Sequence, residues 1–163
     1  MRTILMVILF CVLASNTWAT RQFPEIIEYN DQTYDLYSLP LEALFAQGTP
    51  RTFVQGPLLT ACMRGYVGTW KIEDDWLYLV VLKGMGSDMP RNLLPVIDPT
   101  WGSPVPATWY TGTLRIGRGR ILDFKMGFEE SREEEIFLEI QNGQLISIQA
   151  EDKNNSTLSD QEK

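Results

Sequence analysis

The chain has 163 residues, 44% apolar, 21% charged and 11% aromatic, with a net charge of −7 and no histidine. That length suits one globular domain, and the missing imidazole excludes Ser-His-Asp and Cys-His catalysis, histidine-ligated zinc or haem, and histidine pH switching. The acidic balance argues against nucleic acid and anionic membrane surfaces and favours a basic protein partner.

Arg2, an apolar run over residues 4–14, and Thr17-Trp18-Ala19 have the order and composition of a secretory signal peptide with an A-x-A-like cleavage site. The run is shorter than the roughly twenty residues of a membrane span, and the bulky Phe10 before Cys11 argues against acylation there. The expectation is a signal peptide over 1–19, a secreted or periplasmic product, and no membrane anchor after cleavage. Removing residues 1–19 leaves 144 residues with net charge −8 and one cysteine, Cys62, read as a small buried hydrophobe.

The remainder predicts a single β-rich domain over 20–150. Short strands are expected at 26–29 and 33–37 around Asn30-Asp31-Gln32, and a short helix at 40–46 with Pro40 in its first turn and Gly48 after it. Strands follow at 61–73 and 76–83, joined by Glu73-Asp74-Asp75. The run Trp76 to Leu82 is apolar at every position, which reads as a strand covered on both faces. A long segment, 84–106, holds five of the nine prolines and reads as mostly irregular, with one helical turn near Asn92-Leu93-Leu94. Four more strands are expected at 108–116, 120–126, 134–140 and 144–150. Gly117-Arg118-Gly119 reads as a hairpin loop, and Asn142-Gly143 as a type I′ turn, which needs positive φ at both central residues. Residues 151–163 read as a disordered polar tail. Tyr66-Val67-Gly68-Thr69-Trp70-Lys71-Ile72 has a faint echo in Tyr110-Thr111-Gly112-Thr113-Leu114-Arg115-Ile116; a mid-strand glycine signals a bend, a bulge or an aromatic packed over the gap. The fold class expected is all-β or β-dominated: a sandwich or partly open barrel of about eight mainly antiparallel strands with one or two short helices.

No motif names a reaction. The Walker loop, G-x-S-x-G, C-x-x-C and EF-hand spacings are absent, so no catalytic residue, metal ligand or cofactor is assigned. Glu73-Asp74-Asp75 reads as a solvated turn, and the glutamates of 129–135 as a charged loop and strand start able to meet a cation or a basic partner. A hydrolase would need two converging carboxyls, for example Asp98 or Asp123 with a glutamate. Gly68-Thr69-Trp70 matches the short G-x-W signature of lipocalin-like barrels, which would hold a small molecule near Trp70 and Leu114. Binding candidates are Arg64, Tyr66, Trp101, Trp109, Glu129 and Glu130, because aromatics and arginines anchor interfaces. Arg64 is read either as pairing with a carboxylate against a ring or as clamping an anion.

Arg64-Gly65-Tyr66-Val67-Gly68-Thr69-Trp70-Lys71-Ile72, followed by Leu77-Tyr78-Leu79, resembles a group of small uncharacterised bacterial proteins that share an R-G-Y-x-[AG]-T-[WF]-x-I…L-Y-L signature. The likeness extends through Tyr34 and Pro40-Leu41-Glu42 upstream. Downstream it runs through Trp109-Tyr110-Thr111-Gly112, Leu114, Met126-Gly127-Phe128, residues 133–140, Gly143 and Leu145. This chain departs from the pattern at Glu129, Glu130 and Arg132. The resemblance implies a common fold and supplies no mechanism. Taken together, the sequence points to an exported, non-enzymatic binding module, leaning to recognition of a protein partner in the manner of an immunity or inhibitor protein.

Overall fold

A computed structural model describes residues 20–51, 53, 59–86, 89–124 and 127–152. The expected signal peptide, Met126 and residues 153–163 of the expected tail lie outside them. Among these residues eight strands and two short helices follow in chain order: β1 Glu25–Tyr29, β2 Gln32–Leu36, α1 Pro40–Ala46, β3 Tyr66–Glu73, β4 Trp76–Gly84, α2 Leu94–Ile97, β5 Val105–Pro106, β6 Gly112–Phe124, β7 Glu130–Gln141 and β8 Gln144–Asp152. The strands form one mostly antiparallel sheet in the order β3-β1-β2-β6-β7-β8-β4-β5, and a further β3–β4 pairing turns it into an uneven ring. Among the described strands only β1 and β3 run parallel. This is the β-dominated, mainly antiparallel fold of about eight strands expected from the sequence, closed as a ring where a sandwich or a partly open barrel was expected. Among the described residues, no helix is long and apolar enough to cross a membrane.

Three tight hairpins set the register. Asn30-Asp31, Asp74-Asp75 and Asn142-Gly143 all carry positive φ at both central positions, the conformation whose twist matches paired strands and which Asn, Asp and Gly tolerate best. The core is filled by inward side chains, with Ile27, Leu36, Leu41, Tyr66, Trp70, Leu77, Leu79, Leu82, Leu93, Leu114, Ile116 and Leu138 at no or almost no exposure. Each such aliphatic side chain stabilises the fold by about 2 kcal/mol before chain entropy is counted.

Three readings change. Gly117-Arg118-Gly119 is not a hairpin loop: β6 runs through it, pairing Gly117↔Glu135 and Arg118↔Glu134 before the register slips to Ile121↔Arg132. Gly119, at φ +82°, lets the strand bulge rather than reverse. The acidic run of 129–135 accordingly lies largely in β7, and Glu130 and Glu135 are buried. The all-apolar Trp76 to Leu82 run is not a strand covered equally on both faces. Thr69 pairs with Val81 and Trp70 with Leu79, so Val80 is an extra residue on β4 and the buried positions switch from Leu77 and Leu79 to Leu82. A shift of phase makes one buried face look like two. The proline-rich segment is mostly irregular with one helical turn, as expected, and it packs on the core: the N–H of Leu93 donates to the carbonyl of Leu82 at 2.9 Å, and Met89, Leu93, Leu94 and Val105 join the core.

Candidate functional site

Arg64 and Tyr66, both binding candidates from sequence, lie in the interior. Gly65, at φ +81°, reverses the chain just before β3 and turns Arg64 toward Glu25, whose carboxylate is wholly buried. Arg64 Nε sits 3.3 Å from Glu25 Oε1, but the N–H is not aimed at it and neither atom has a hydrogen-bond partner among the described residues. The two meet by charge alone. Arg64 donates through its terminal nitrogen to the carbonyl of Phe23 at 2.9 Å and lies 5.5 Å from the centroid of the Tyr66 ring and 5.7 Å from that of Phe128. Glu25 Oε2 accepts from Trp70 Nε1 at 2.5 Å. Burial pushes the Glu25 carboxyl up to about 7, against the lowering effect of the Arg64 charge and the Trp70 and Gly68 donors.

The same geometry explains the R-G-Y-x-G-T-W stretch as architecture. A Cβ on Gly68 would come 2.6 Å from Trp70 Nε1 and 2.7 Å from Glu25 Oε2, so only glycine leaves room for the indole–carboxylate bond. The Tyr66 hydroxyl donates to Glu42 Oε1 of α1 at 2.7 Å, tying Pro40-Leu41-Glu42 to β3. Of the two readings of Arg64, the arrangement matches pairing with a carboxylate against a ring.

Glu130 anchors a second charged cluster. Arg21 donates to both of its oxygens, at 2.5 and 2.8 Å; the Tyr37 hydroxyl donates at 2.6 Å and Arg132 Nε at 3.0 Å. Arg132 also reaches Asp35, and a Cβ on Gly117 would approach its side chain to 3.1 Å. Arg115 lies 4.3 Å from the centroid of the Tyr37 ring and donates to the backbone carbonyls of Glu130 and Phe128, pinning the start of β7 to β2 and β6. Burial works to raise the Glu130 pKa, but the Arg21 and Tyr37 hydrogen bonds and the arginine charges outweigh it and hold the carboxyl below its usual value. Glu129, beside it, is exposed. The sequence reading gave no binding role to Glu25, Tyr37, Arg115 or Arg132, although Arg132 stood out as a departure from the resemblance pattern.

Trp101 and Trp109 stack on each other, centroids 5.4 Å apart and planes within 10°. Both are half-buried, and Trp109 Nε1 donates to the Pro40 carbonyl at 3.2 Å. Tyr110 is buried, its hydroxyl raised to about 12 by burial.

Catalytic geometry is not assembled by these groups. Asp98 is occupied by the Thr100 N–H and hydroxyl at 2.8 and 2.7 Å, Asp123 is exposed on β6, and Glu133 and Glu134 bond Arg120 and Arg118 at 2.5 Å. Cys62 is fully buried with its thiol pKa raised by burial. Among the described residues, no three His, Cys, Asp or Glu side chains gather to hold a metal ion. The exterior carries a groove of about 140 Å³ across β6, β7 and β8, lined by Thr113, Phe137, Glu139, Ser147 and Gln149. Exposed large apolar side chains stand on β6 (Ile121, Leu122, Phe124) and β8 (Ile146, Ile148). Comparison of the chain with protein-family models, curated proteins and solved structures finds no match.

Proposed function

We propose that the chain is an exported, non-enzymatic binding module that recognises a basic protein partner, as an immunity or inhibitor protein does. The observation that carries this reading is the contrast between a committed interior and an unsatisfied exterior. Trp70 and Leu114, where a lipocalin-like barrel would hold its ligand, have no accessible surface at all, which favours a surface-binding module over a small-molecule carrier. The exposed apolar residues of β6 and β8 stand on an acidic molecule, a combination that gives a partner contact area and electrostatic steering toward a cation. Export rests on the leader pattern of residues 1–19, and a fold shared with the small R-G-Y-x-[AG]-T-[WF] proteins rests on the residues quoted for it.

The test has two parts. N-terminal sequencing of the exported product should read from Thr20; a product that keeps Met1 contradicts export. A thermal-shift titration against purified cationic secreted toxins and enzymes should find one that raises the melting temperature, with binding that weakens as salt rises. Stabilisation by none of them contradicts the partner reading.

A further inference from the structure

The ring of strands is closed at one seam by a single pair. β8 pairs with β7 from Gln141↔Gln144 to Glu134↔Asp152, but it meets β4 only at Trp76↔Gln144. The N–H of Leu145 donates to the Asp75 carbonyl at 2.8 Å. Beyond that bond, none of the described residues pairs with the outer edge of β8 over 146–152. Ile148 pairs with buried Leu138 on the core-facing side of the sheet, yet Ile148 is 51% exposed and Ile146 53%. Soluble sheets blunt such an edge with lysine, proline or an inward charge. Residues 133–152 contain no Lys, Arg or Pro.

We infer that the free edge of β8 binds a basic, extended segment of the partner protein as an added antiparallel or parallel strand. The inference rests on the protein-partner reading and deepens it by naming the surface and the chemistry. Strand addition supplies main-chain hydrogen bonds, and alternate side chains supply the selection. On the core-facing side an added strand meets Ile148, which pairs with buried Leu138, and calls for an apolar residue there. On the outer side it meets Ser147 and Gln149, behind which the groove leads to Glu139. With strands spaced about 4.8 Å apart, the added backbone lies about 10 Å from that of β7, within the joint reach of a lysine or arginine and a glutamate. Glu139 and Glu151 are exposed, and neither has an ion-pair partner among the described residues. Other acids along this sheet, Glu133, Glu134 and Glu135, already face Arg120, Arg118 and Arg115. A second copy of the chain is the poorer occupant, because two edges without a single base would be brought together.

The probe is a phage-displayed library of random twelve-residue peptides, panned against the folded protein, with enriched peptides then synthesised and titrated by fluorescence anisotropy. The expected peptides alternate apolar residues with Lys or Arg. Their affinity should fall at least tenfold for Ile148→Lys and at least tenfold for the double variant Glu139→Lys/Glu151→Lys. Should Ile148→Lys fail to fold by circular dichroism, the double variant decides, since both its positions are exposed. Failure to enrich basic alternating peptides overturns the inference, as do binders indifferent to the β8 variants. A concentration-dependent dimer lost in Ile148→Lys would also overturn it, by giving the edge to a second copy. Binders that map away from β8 would leave the partner reading standing, whereas absence of peptide binders together with absence of any thermal shift would end both.

Discussion

Replacing Arg64 with methionine keeps an unbranched, flexible side chain and removes the charge that faces Glu25 in the interior. The wild-type carboxyl titrates near 7 in the folded state, above its ordinary value of 4.5. The folded protein therefore binds the Glu25 proton more tightly than the unfolded chain does. Stability from this group is fully present below pH 4.5, declines as pH rises to about 7, and is flat above that. Without Arg64, which pulls the pKa down, the folded carboxyl keeps its proton to higher pH and the decline continues past 7. The added cost is limited by that protonation to about 1.4 kcal/mol per pH unit, hence at most about 2.7 kcal/mol at pH 9 and nothing at pH 5. A pH-independent loss of about 1–2 kcal/mol accompanies it, from the Phe23 hydrogen bond and the contacts with Tyr66 and Phe128. Urea unfolding of both proteins from pH 5 to pH 9 reads this directly. The wild type should level off above pH 7 while Arg64→Met keeps falling. Parallel curves would refute the assignment of Glu25 as a buried carboxylate held by Arg64.

Three other perturbations follow from the packing. Gly68→Ala places a methyl within 2.7 Å of both Trp70 Nε1 and Glu25 Oε2; displacing either buried group should cost about 3 kcal/mol in chemical denaturation, with a change in tryptophan emission. Tyr66→Phe removes the donor to Glu42 while leaving the buried ring in place, and should cost about 1 kcal/mol. Glu130→Gln leaves Arg21 and Arg132 facing a neutral amide and should cost about 2–3 kcal/mol at pH 7. Because the folded Glu130 pKa is lowered, its contribution is present above the unfolded carboxylate value and disappears as acid protonates it; the variant and wild-type curves should converge below that range.

Much of the fold was legible because its turns and strands are local decisions. Asn30-Asp31, Asp74-Asp75 and Asn142-Gly143 declare positive φ in their side chains, and the helix beginning at Pro40 follows from a proline that needs no intrahelical donor. What escaped the sequence depends on phase. The bulges at Val80 and around Gly119 move side chains to the other face of the sheet, so alternation read from either side of them misassigns inside and outside. Gly117-Arg118-Gly119, the site of one of these bulges, has the composition of a hairpin loop, so β6 read as two strands and Glu130 as part of a charged loop and strand start. The Glu25–Arg64 pair was half visible: Arg64 called for a carboxylate, but its partner lies 39 positions away, one residue before the strand expected at 26–29, where alternation puts it on the buried face of Ile27 and Tyr29. The candidate interface was the least legible part, since an unpaired edge is a property of which strands fail to meet.

Hydrogen–deuterium exchange of the free protein, resolved by residue, tests that edge most directly. A seam closed only at Trp76↔Gln144 predicts slow exchange along β7 from Ile136 to Ile140 and, over residues 146–152, alternating slow and fast amides as successive N–H groups point toward β7 and toward solvent. Uniform protection throughout β8, as deep as that of β7, would mean that the edge is already covered and would contradict the surface assigned to the partner.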